Sequence, residues 1–181
     1  GFGLPVANKK DSQGLCFVGK VDFMEFLKNE LPQKIGAVVS SDGEKIGEHK
    51  GAHFYTIGQR HGLNFGGQPE PVFVAEKNFA TNTLVMARGA GDKILFKKTL
   101  SAGNFNWIFS NTLKFPLKCQ VRIRYRQPLQ EAVLHKGGRV EFLCSQRAIA
   151  PGQSVVFYLG EKMLGGAIIK EERKEELYGT F

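Results

Sequence analysis

The stretch CQVRIRYR, residues 119–126, alternates apolar and polar side chains one by one. A period of two is typical of a β-strand whose two faces meet different surroundings. One face would carry Cys119, Val121, Ile123 and Tyr125, and the other Gln120, Arg122, Arg124 and Arg126. The pattern predicts three arginines in a row on an exposed face, about 6–7 Å apart, close to the spacing of successive phosphates.

Short apolar runs on both sides of this stretch predict further strands. Downstream and upstream runs bounded by turn residues lie near 94–98, 130–136, 139–145, 154–160 and 162–169. Six short antiparallel strands favour a small closed barrel. Nearer the start, residues 37–49 hold two apolar segments around Asp42-Gly43, a strong signal for a tight hairpin, and two more strands are expected at 71–77 and 83–87. The chain is therefore predicted to be mainly β.

One helix is predicted, beginning at Asp22 and ending before Pro32, because Glu25 completes a capping-box pattern and apolar residues recur at helical spacing. The glycine-rich residues 89–92 are the expected domain boundary, since the charge balance changes directly after them. We expect a central β-domain over 21–90, a barrel over 91–170 and a charged tail over 171–181.

The net charge of +8 is concentrated in one segment of the chain. Residues 93–126 carry eight Lys or Arg and no Asp or Glu, and the remaining 17 basic side chains balance the 17 acidic ones. A basic region on a folded domain attracts polyanions, most commonly nucleic acid, with an affinity that falls as salt rises. An ordinary solvated face with acidic partners on neighbouring strands is the alternative.

Composition argues against several other classes of protein. No run of about 18 apolar residues is present, so we expect no membrane span and a cytoplasmic location. The three cysteines form no C-x-x-C pair, and the four histidines show no ligand spacing, so we predict no disulfide framework and no metal site. No Walker or dinucleotide motif is complete, which predicts that this chain does not bind a nucleotide cofactor.

Two positions remain open on the residues alone. Cys16 has Lys9 and Lys10 nearby, which would favour a reactive thiolate, although a lone Cys in an apolar run is more commonly a small core residue. Cys119 and Cys144 are assigned to packing. The loop over 51–67 is rich in glycine and aromatic residues, so Gln59 and Arg60 there either contact RNA or belong to a segment that packs between domains.

Five blocks, in order, resemble bacterial tRNA-specific 2-thiouridylases. They are ANKKDSQGLCFVG (7–19), FYTIGQRHGLNFGG (54–67), VRIRYRQ (121–127), APGQSVVFY (150–158) and LGGAII (164–169). The resemblance spans residues 4–169 and implies a small central β-domain followed by a translation-factor-like barrel. Residues 1–20 would be the end of a catalytic domain and its cysteine loop.

The resemblance also implies a reaction and its residues. In that family ATP adenylates the C2 oxygen of the tRNA wobble uridine, and a cysteine persulfide delivers sulfur to the activated carbon. Cys16 matches the persulfide cysteine, which later forms a disulfide with a partner cysteine, although Leu15 stands where Ile is usual. The tRNA contacts of the family match Arg124, Tyr125 and Gln153, with Arg122 and Arg126 as further candidates. Tyr125 conflicts with the alternation, which turns it inward.

The resemblance leaves part of the reaction outside this chain. The phosphate-binding SGG-x-DS loop and the first catalytic D-x-x-C cysteine are absent, so ATP would be bound by an N-terminal domain that this chain lacks. Expected partners are tRNA and a persulfide donor such as a cysteine desulfurase or sulfur-relay protein, with no membrane, and we expect a monomer. The alternatives are an RNA-binding module without chemistry and a partner-binding barrel without RNA affinity.

Overall fold

A computed structural model describes residues 23–60, 63, 70–108 and 113–171. It contains one α-helix, α1 (Phe23–Glu30), and ten strands. The strands are β1 (Gly36–Ser40), β2 (Lys45–His49), β3 (Val72–Asn78), β4 (Thr83–Arg88), β5 (Phe96–Trp107), β6 (Leu117–Arg122), β7 (Gln130–Leu134), β8 (Arg139–Arg147), β9 (Ser154–Leu159) and β10 (Lys162–Ile169). The mainly β prediction is confirmed. In the described part of the chain, no helix has the length and apolar character needed to cross a bilayer.

The first four strands form a mixed sheet, the central sheet, in the order β2-β1-β4-β3. β1 and β2 form the predicted hairpin, and Gly43 adopts a positive φ of 88° in its turn. β1 runs parallel to β4, whereas β3 and β4 are antiparallel. One face of the sheet buries a small apolar cluster that includes Val38, Val74, Leu84 and Met86.

A buried polar knot closes one edge of this sheet. Nδ1 of His49 accepts a hydrogen bond from the Gly51 N–H at 2.9 Å, so Nε2 carries the proton and donates to the Asn82 carbonyl at 3.0 Å. The ring packs edge-on against Tyr55 at 5.7 Å. A Cβ at Gly36 would lie 2.6 Å from His49 Nε2, so this position of β1 has room only for glycine. Burial lowers the pKa of His49, which keeps this imidazole neutral.

The remaining six strands close into the predicted antiparallel barrel, and their order is β10-β5-β8-β7-β6-β9. Its core buries two phenylalanines completely, Phe142 and Phe157, among aliphatic side chains from all six strands. β5 is longer than the predicted 94–98 because it changes partner. Residues 96–101 pair with β8, and residues 102–107 continue along β10. The glycine and asparagine content of 103–106 concealed this second half from a period-two search.

The barrel contacts the second face of the central sheet. Phe73, Ala75 and Ala87 are buried there against Leu95, which directly precedes β5. Arg147, at the end of β8, places its guanidinium 4.5 Å from the Phe73 ring. β3 is thus covered on both faces, which explains its continuous apolar run.

Candidate nucleic-acid interface

The described part of the basic segment runs from the short helical turn before β5, along β5 and β6, to the turn after β6. Its eight basic residues are Lys93, Lys97, Lys98, Lys114, Lys118, Arg122, Arg124 and Arg126. The prediction of three arginines in a row on one strand is wrong, because β6 ends at Arg122. Residues 123–127 form a turn, which we call the 123–127 turn. The arginines therefore project from different backbone environments.

Glutamines that were not among the predicted site residues hold this turn. Oε1 of Gln127 accepts the Ile123 N–H at 3.1 Å, so the strand's next ladder hydrogen bond is replaced by a side chain. Nε2 of Gln127 donates to Gln146 at 2.8 Å, and Gln146 donates to Gln130 and to the Cys144 carbonyl. Gln146 is buried, so these bonds satisfy a polar group that would otherwise be costly. The sequence signal for this network is Gln146, a polar residue at a position where the alternation of β8 predicts an apolar one.

The turn presents Tyr125 outward. Tyr125 is 65% exposed, so the inward placement expected from the alternation is wrong. The guanidinium carbon of Arg126 lies 5.1 Å from the Tyr125 ring centroid, and Arg126 adopts a left-handed φ of 60°. An exposed aromatic ring paired with a guanidinium offers a stacking surface and a phosphate-binding cation side by side.

Arg124 is directed the other way, toward the central sheet. One of its terminal nitrogens donates to the Ala148 carbonyl at 2.9 Å. The same nitrogen lies close to Gly58, whose N–H is bonded to Val74 of β3, since a Cβ at Gly58 would be 3.2 Å from it. Burial, together with nearby Arg147, lowers the pKa of Arg124. Arg124 therefore links the 123–127 turn to both domains.

Arg122 lies on the outer face of β6. Its guanidinium carbon is 5.5 Å from the ring of Tyr158 on the neighbouring strand β9. Its Nε is buried and has no hydrogen-bond partner in the described part of the chain. Stacking on Tyr158 fixes the side chain while its terminal nitrogens remain the groups able to bind an anion.

Gln153 and the 123–127 turn lie at the same end of the barrel. Gln153 is exposed in the turn before β9, and its carbonyl accepts the Ile169 N–H at 2.8 Å. β9 pairs with β6 so that Val156 faces Arg122, which brings the residues before β9 close to those after β6. Two candidates far apart in sequence, Gln153 and Tyr125, are thus placed at the ends of paired strands.

Gln59 and Arg60 lie in a turn that docks on β3. The Thr56 N–H donates to the Gln59 side chain at 2.9 Å, and the Val74 N–H donates to the Gln59 carbonyl at 3.0 Å. Arg60 is exposed. Residues 61–62 and 64–69 lie outside the described residues.

The cysteines differ in their surroundings. Cys16 lies outside the described residues. Cys119 is buried in the barrel, as predicted, and burial raises the pKa of its thiol to about 11. Cys144 is exposed, so its assignment to packing is wrong. The pairing of β8 with β5 is irregular between Glu141 and Gln146, and the inward phase is lost there.

No group of three or more His, Cys, Asp or Glu side chains able to hold a metal ion occurs among the described residues.

Comparisons with known proteins place this architecture in a family. One domain model, described as a tRNA methyl transferase PRC-barrel domain, matches residues 24–88, and another, an aminomethyltransferase beta-barrel domain, matches 97–169. The first covers α1 and the central sheet, and the second covers the barrel. Together the two matches define a unit made of a PRC-barrel domain and a β-barrel domain, both described in the names of group-transferring enzymes, the first of them a tRNA methyl transferase.

Similar curated proteins identify the particular family. The chain is 44% identical over 173 residues to tRNA-specific 2-thiouridylase MnmA 2 of Geobacillus kaustophilus, covering 93% of this chain and 47% of that protein. It is 41% identical over 174 residues to tRNA-specific 2-thiouridylase MnmA of Chlamydia abortus, covering 93% and 48%. The chain belongs to the tRNA-specific 2-thiouridylase family. It spans about half the length of the curated relatives it matches, in their C-terminal part.

Proposed function

We propose that this chain is the tRNA-binding C-terminal portion of an enzyme that makes 2-thiouridine at the wobble position of tRNA. The observation that carries the proposal is the 44% identity to a protein named tRNA-specific 2-thiouridylase over 93% of the chain. The charge excess in residues 93–126 and the exposed Tyr125 beside Arg126 support a role in holding RNA. We further propose the domain division into 21–90 and 91–170.

The chemistry would be shared between this chain and an ATP-binding domain outside it. ATP adenylates the C2 oxygen of uridine and releases pyrophosphate. Cys16, loaded as a persulfide by a sulfur donor, attacks C2 with its terminal sulfur, and AMP leaves. A partner cysteine thiolate then attacks the inner sulfur of Cys16, the sulfur–sulfur bond breaks, and the thiocarbonyl stays on the base. The resulting disulfide is reopened by an external thiol reductant.

The barrel would position the tRNA for this reaction. We assign Tyr125 and Arg126 to direct RNA contact because both side chains face solvent, and Gln153 because it lies at the same end of the β6–β9 pair. Arg122 supplies a further phosphate contact from the outer face of β6. Arg124 acts mainly by fixing the 123–127 turn, since its guanidinium is bonded to Ala148. Gln59 and Arg60 stay lesser candidates.

Sulfur transfer is the first experiment. The longer enzyme, with ATP, tRNA and a persulfide donor, is compared with its Cys16→Ala, Cys119→Ala and Cys144→Ala variants by mass spectrometry of nucleosides. We expect 2-thiouridine to disappear only in Cys16→Ala, while folding and tRNA binding persist. Product at the wild-type level from Cys16→Ala would overturn the persulfide role and favour a module that binds RNA without chemistry.

RNA binding by this chain is tested separately. At low salt the 181-residue chain should bind tRNA, and Tyr125→Ala should weaken binding at least about five-fold through the loss of stacking. Lys45→Gln, a charge change on the central sheet, is the control and should have little effect, because Lys45 pairs with Glu48. Absence of tRNA binding at low salt would instead favour a barrel that binds a protein partner.

A further inference from the structure

A second concave surface lies on the barrel, at the opposite ends of β6 and β7 from the 123–127 turn. It encloses about 370 Å³. Its walls come from the second half of β5, the segment before β6, the β7–β8 turn and the residue after β10. Its aromatic and basic lining side chains are Phe105, Trp107, Phe115, His135 and Lys170. We call it the aromatic pocket.

The floor of the aromatic pocket is a fixed pair of rings. Phe105 and Trp107 stack with centroids 5.3 Å apart and planes 14° from parallel. Both rings contact Phe157 in the barrel core, at 5.9 Å and 5.5 Å. They are only partly buried, so the core holds one side of the pair while the pocket is open on the other. Phe115, 41% exposed, stands at the rim.

The Lys170 side chain passes over Gly103 and so reaches the aromatic pocket. The Lys170 side chain lies directly against Gly103, where any Cβ would collide with it, and Nζ would be 2.6 Å from that Cβ. The bare backbone at Gly103 therefore lets the lysine lie across β5 into the pocket. His135 also lines the pocket, and its Nε2 lies 3.5 Å from Glu141, which is 3.3 Å from Arg139. Among the described residues that line the pocket, Lys170 carries the one positive charge and no carboxylate is present.

We propose that the aromatic pocket binds one unpaired nucleotide of the RNA, with the base on the Phe105–Trp107 floor and its phosphate near Lys170. Stacked rings bordered by cations are the combination by which proteins hold single-stranded nucleic acid without reading its sequence. An apolar peptide segment would pack against the rings but would offer no negative charge to Lys170. This inference rests on the proposed tRNA-binding function. It adds a second RNA contact at the ends of β6 and β7 opposite to the end that carries Tyr125.

Trp107 reports directly on this pocket because it is the only tryptophan in the chain. The 181-residue chain is titrated at low salt with a single-stranded uridine hexanucleotide and, in parallel, with inorganic polyphosphate of similar charge. We expect saturable quenching of Trp107 fluorescence by the hexanucleotide. Polyphosphate should bind with no such quenching, because it carries no base to stack.

Variants then distinguish binding in the aromatic pocket from non-specific electrostatic binding elsewhere on the chain. Phe115→Leu removes the exposed ring at the rim, beside the base on the floor, and should raise the Kd for the hexanucleotide at least about two-fold, the lower end of the effect of one edge-to-face aromatic contact. Lys170→Gln should also raise it. Phe79→Leu is the matched control, since Phe79 is 52% exposed and has Lys77 5.0 Å from its ring, but lies on the central domain. It should leave both Kd and quenching unchanged, and all variants should keep the wild-type melting temperature.

The outcomes distinguish this proposal from the one on which it rests. If tRNA binds but neither tRNA nor the hexanucleotide quenches Trp107, the pocket is not an RNA site, and the tRNA-binding function stands. Equal quenching by polyphosphate would overturn the proposal as well, because charge alone would then explain the signal. If tRNA fails to bind at all, both proposals fail, and a protein becomes the better occupant.

Discussion

The central sheet and the barrel are stabilised by different kinds of contact. The barrel surrounds a large apolar cluster in which Phe142 and Phe157 are completely buried. The sheet has a smaller cluster, and a polar knot at its edge joins His49 and Asn82 by hydrogen bonds. Apolar burial is indifferent to pH, whereas a buried imidazole is not.

This difference separates stability from binding in the barrel. Because its interior needs no charged group, the basic residues of 93–126 lie on its surface and at its ends, where an RNA can reach them. The sheet instead places polar side chains inside its own framework. We therefore expect substitutions in the barrel core, in the polar knot and in the 123–127 turn to have effects of decreasing size and different kind.

The largest effect is expected from Phe157→Ala in the barrel core. Phe157 is fully buried and supports both rings of the aromatic floor, so truncation should lower the free energy of unfolding by about 3–5 kcal/mol. Urea unfolding, followed by Trp107 fluorescence, measures it. Leu84→Ala in the sheet should cost about 2–5 kcal/mol and serves as the comparison. A loss below about 1 kcal/mol for Phe157→Ala would contradict the apolar account of the barrel.

Much of this architecture follows from local sequence. The Asp42-Gly43 turn, the helix before Pro32 and all six barrel strands were predicted, because turn chemistry and hydrophobic period act over a few residues. The wrong predictions for Tyr125 and the arginine row have a different cause. β6 stops at Arg122 because Gln127 takes the Ile123 N–H, and Gln127 is held by Gln146 from another strand. The alternation within residues 119–126 does not register this contact, and its one sequence signal is the polar Gln146 at an inward position of β8.

The candidate site was predictable only in part, for the same reason. Alternation turned Tyr125 inward, whereas the family resemblance kept it as an RNA contact, and the structure exposes it. Arg124 shares the motif but is directed to Ala148, a residue 24 positions away. The roles of Cys16 and Gln153 stay predictions. The pocket around Trp107 was missed because its residues come from four separate segments.

The polar knot gives the second largest expected effect. Nδ2 of Asn82 donates to the carbonyls of Lys34 and Ile35, at 2.9 and 3.0 Å, and Oδ1 accepts the Ala52 N–H at 3.2 Å. Its φ of 49° is left-handed. Asn82→Ala should therefore cost about 2–4 kcal/mol in urea unfolding. Asn82→Gly removes the same bonds without the backbone strain and should be about 1 kcal/mol less destabilising; equal losses would argue against the strain.

A smaller effect is expected from pH. The folded pKa of His49 is lowered by burial, so the unfolded chain binds this proton more tightly and stability is lost as pH falls below about 6.5. Protonation of Nδ1 also breaks the bond from Gly51. Native-state hydrogen exchange is measured at pH 7.5 and 5.5 and corrected for the intrinsic pH dependence of amide exchange. Lowering the pH should reduce the protection of β1 and β4 more than that of the barrel strands. His135→Gln is the control and should leave this difference intact. Uniform acceleration in both domains would contradict the comparison.

The smallest effect tests whether the barrel's binding surface is separable from its stability. Arg126 has a left-handed φ of 60°, so Arg126→Gly should be more stable than Arg126→Ala by about 1 kcal/mol in thermal unfolding. Both variants remove the same guanidinium beside Tyr125, and both should therefore reduce the salt dependence of tRNA binding by about one phosphate contact. If the glycine variant instead recovered the wild-type salt slope, the arginine would act through the backbone of the turn rather than by binding phosphate.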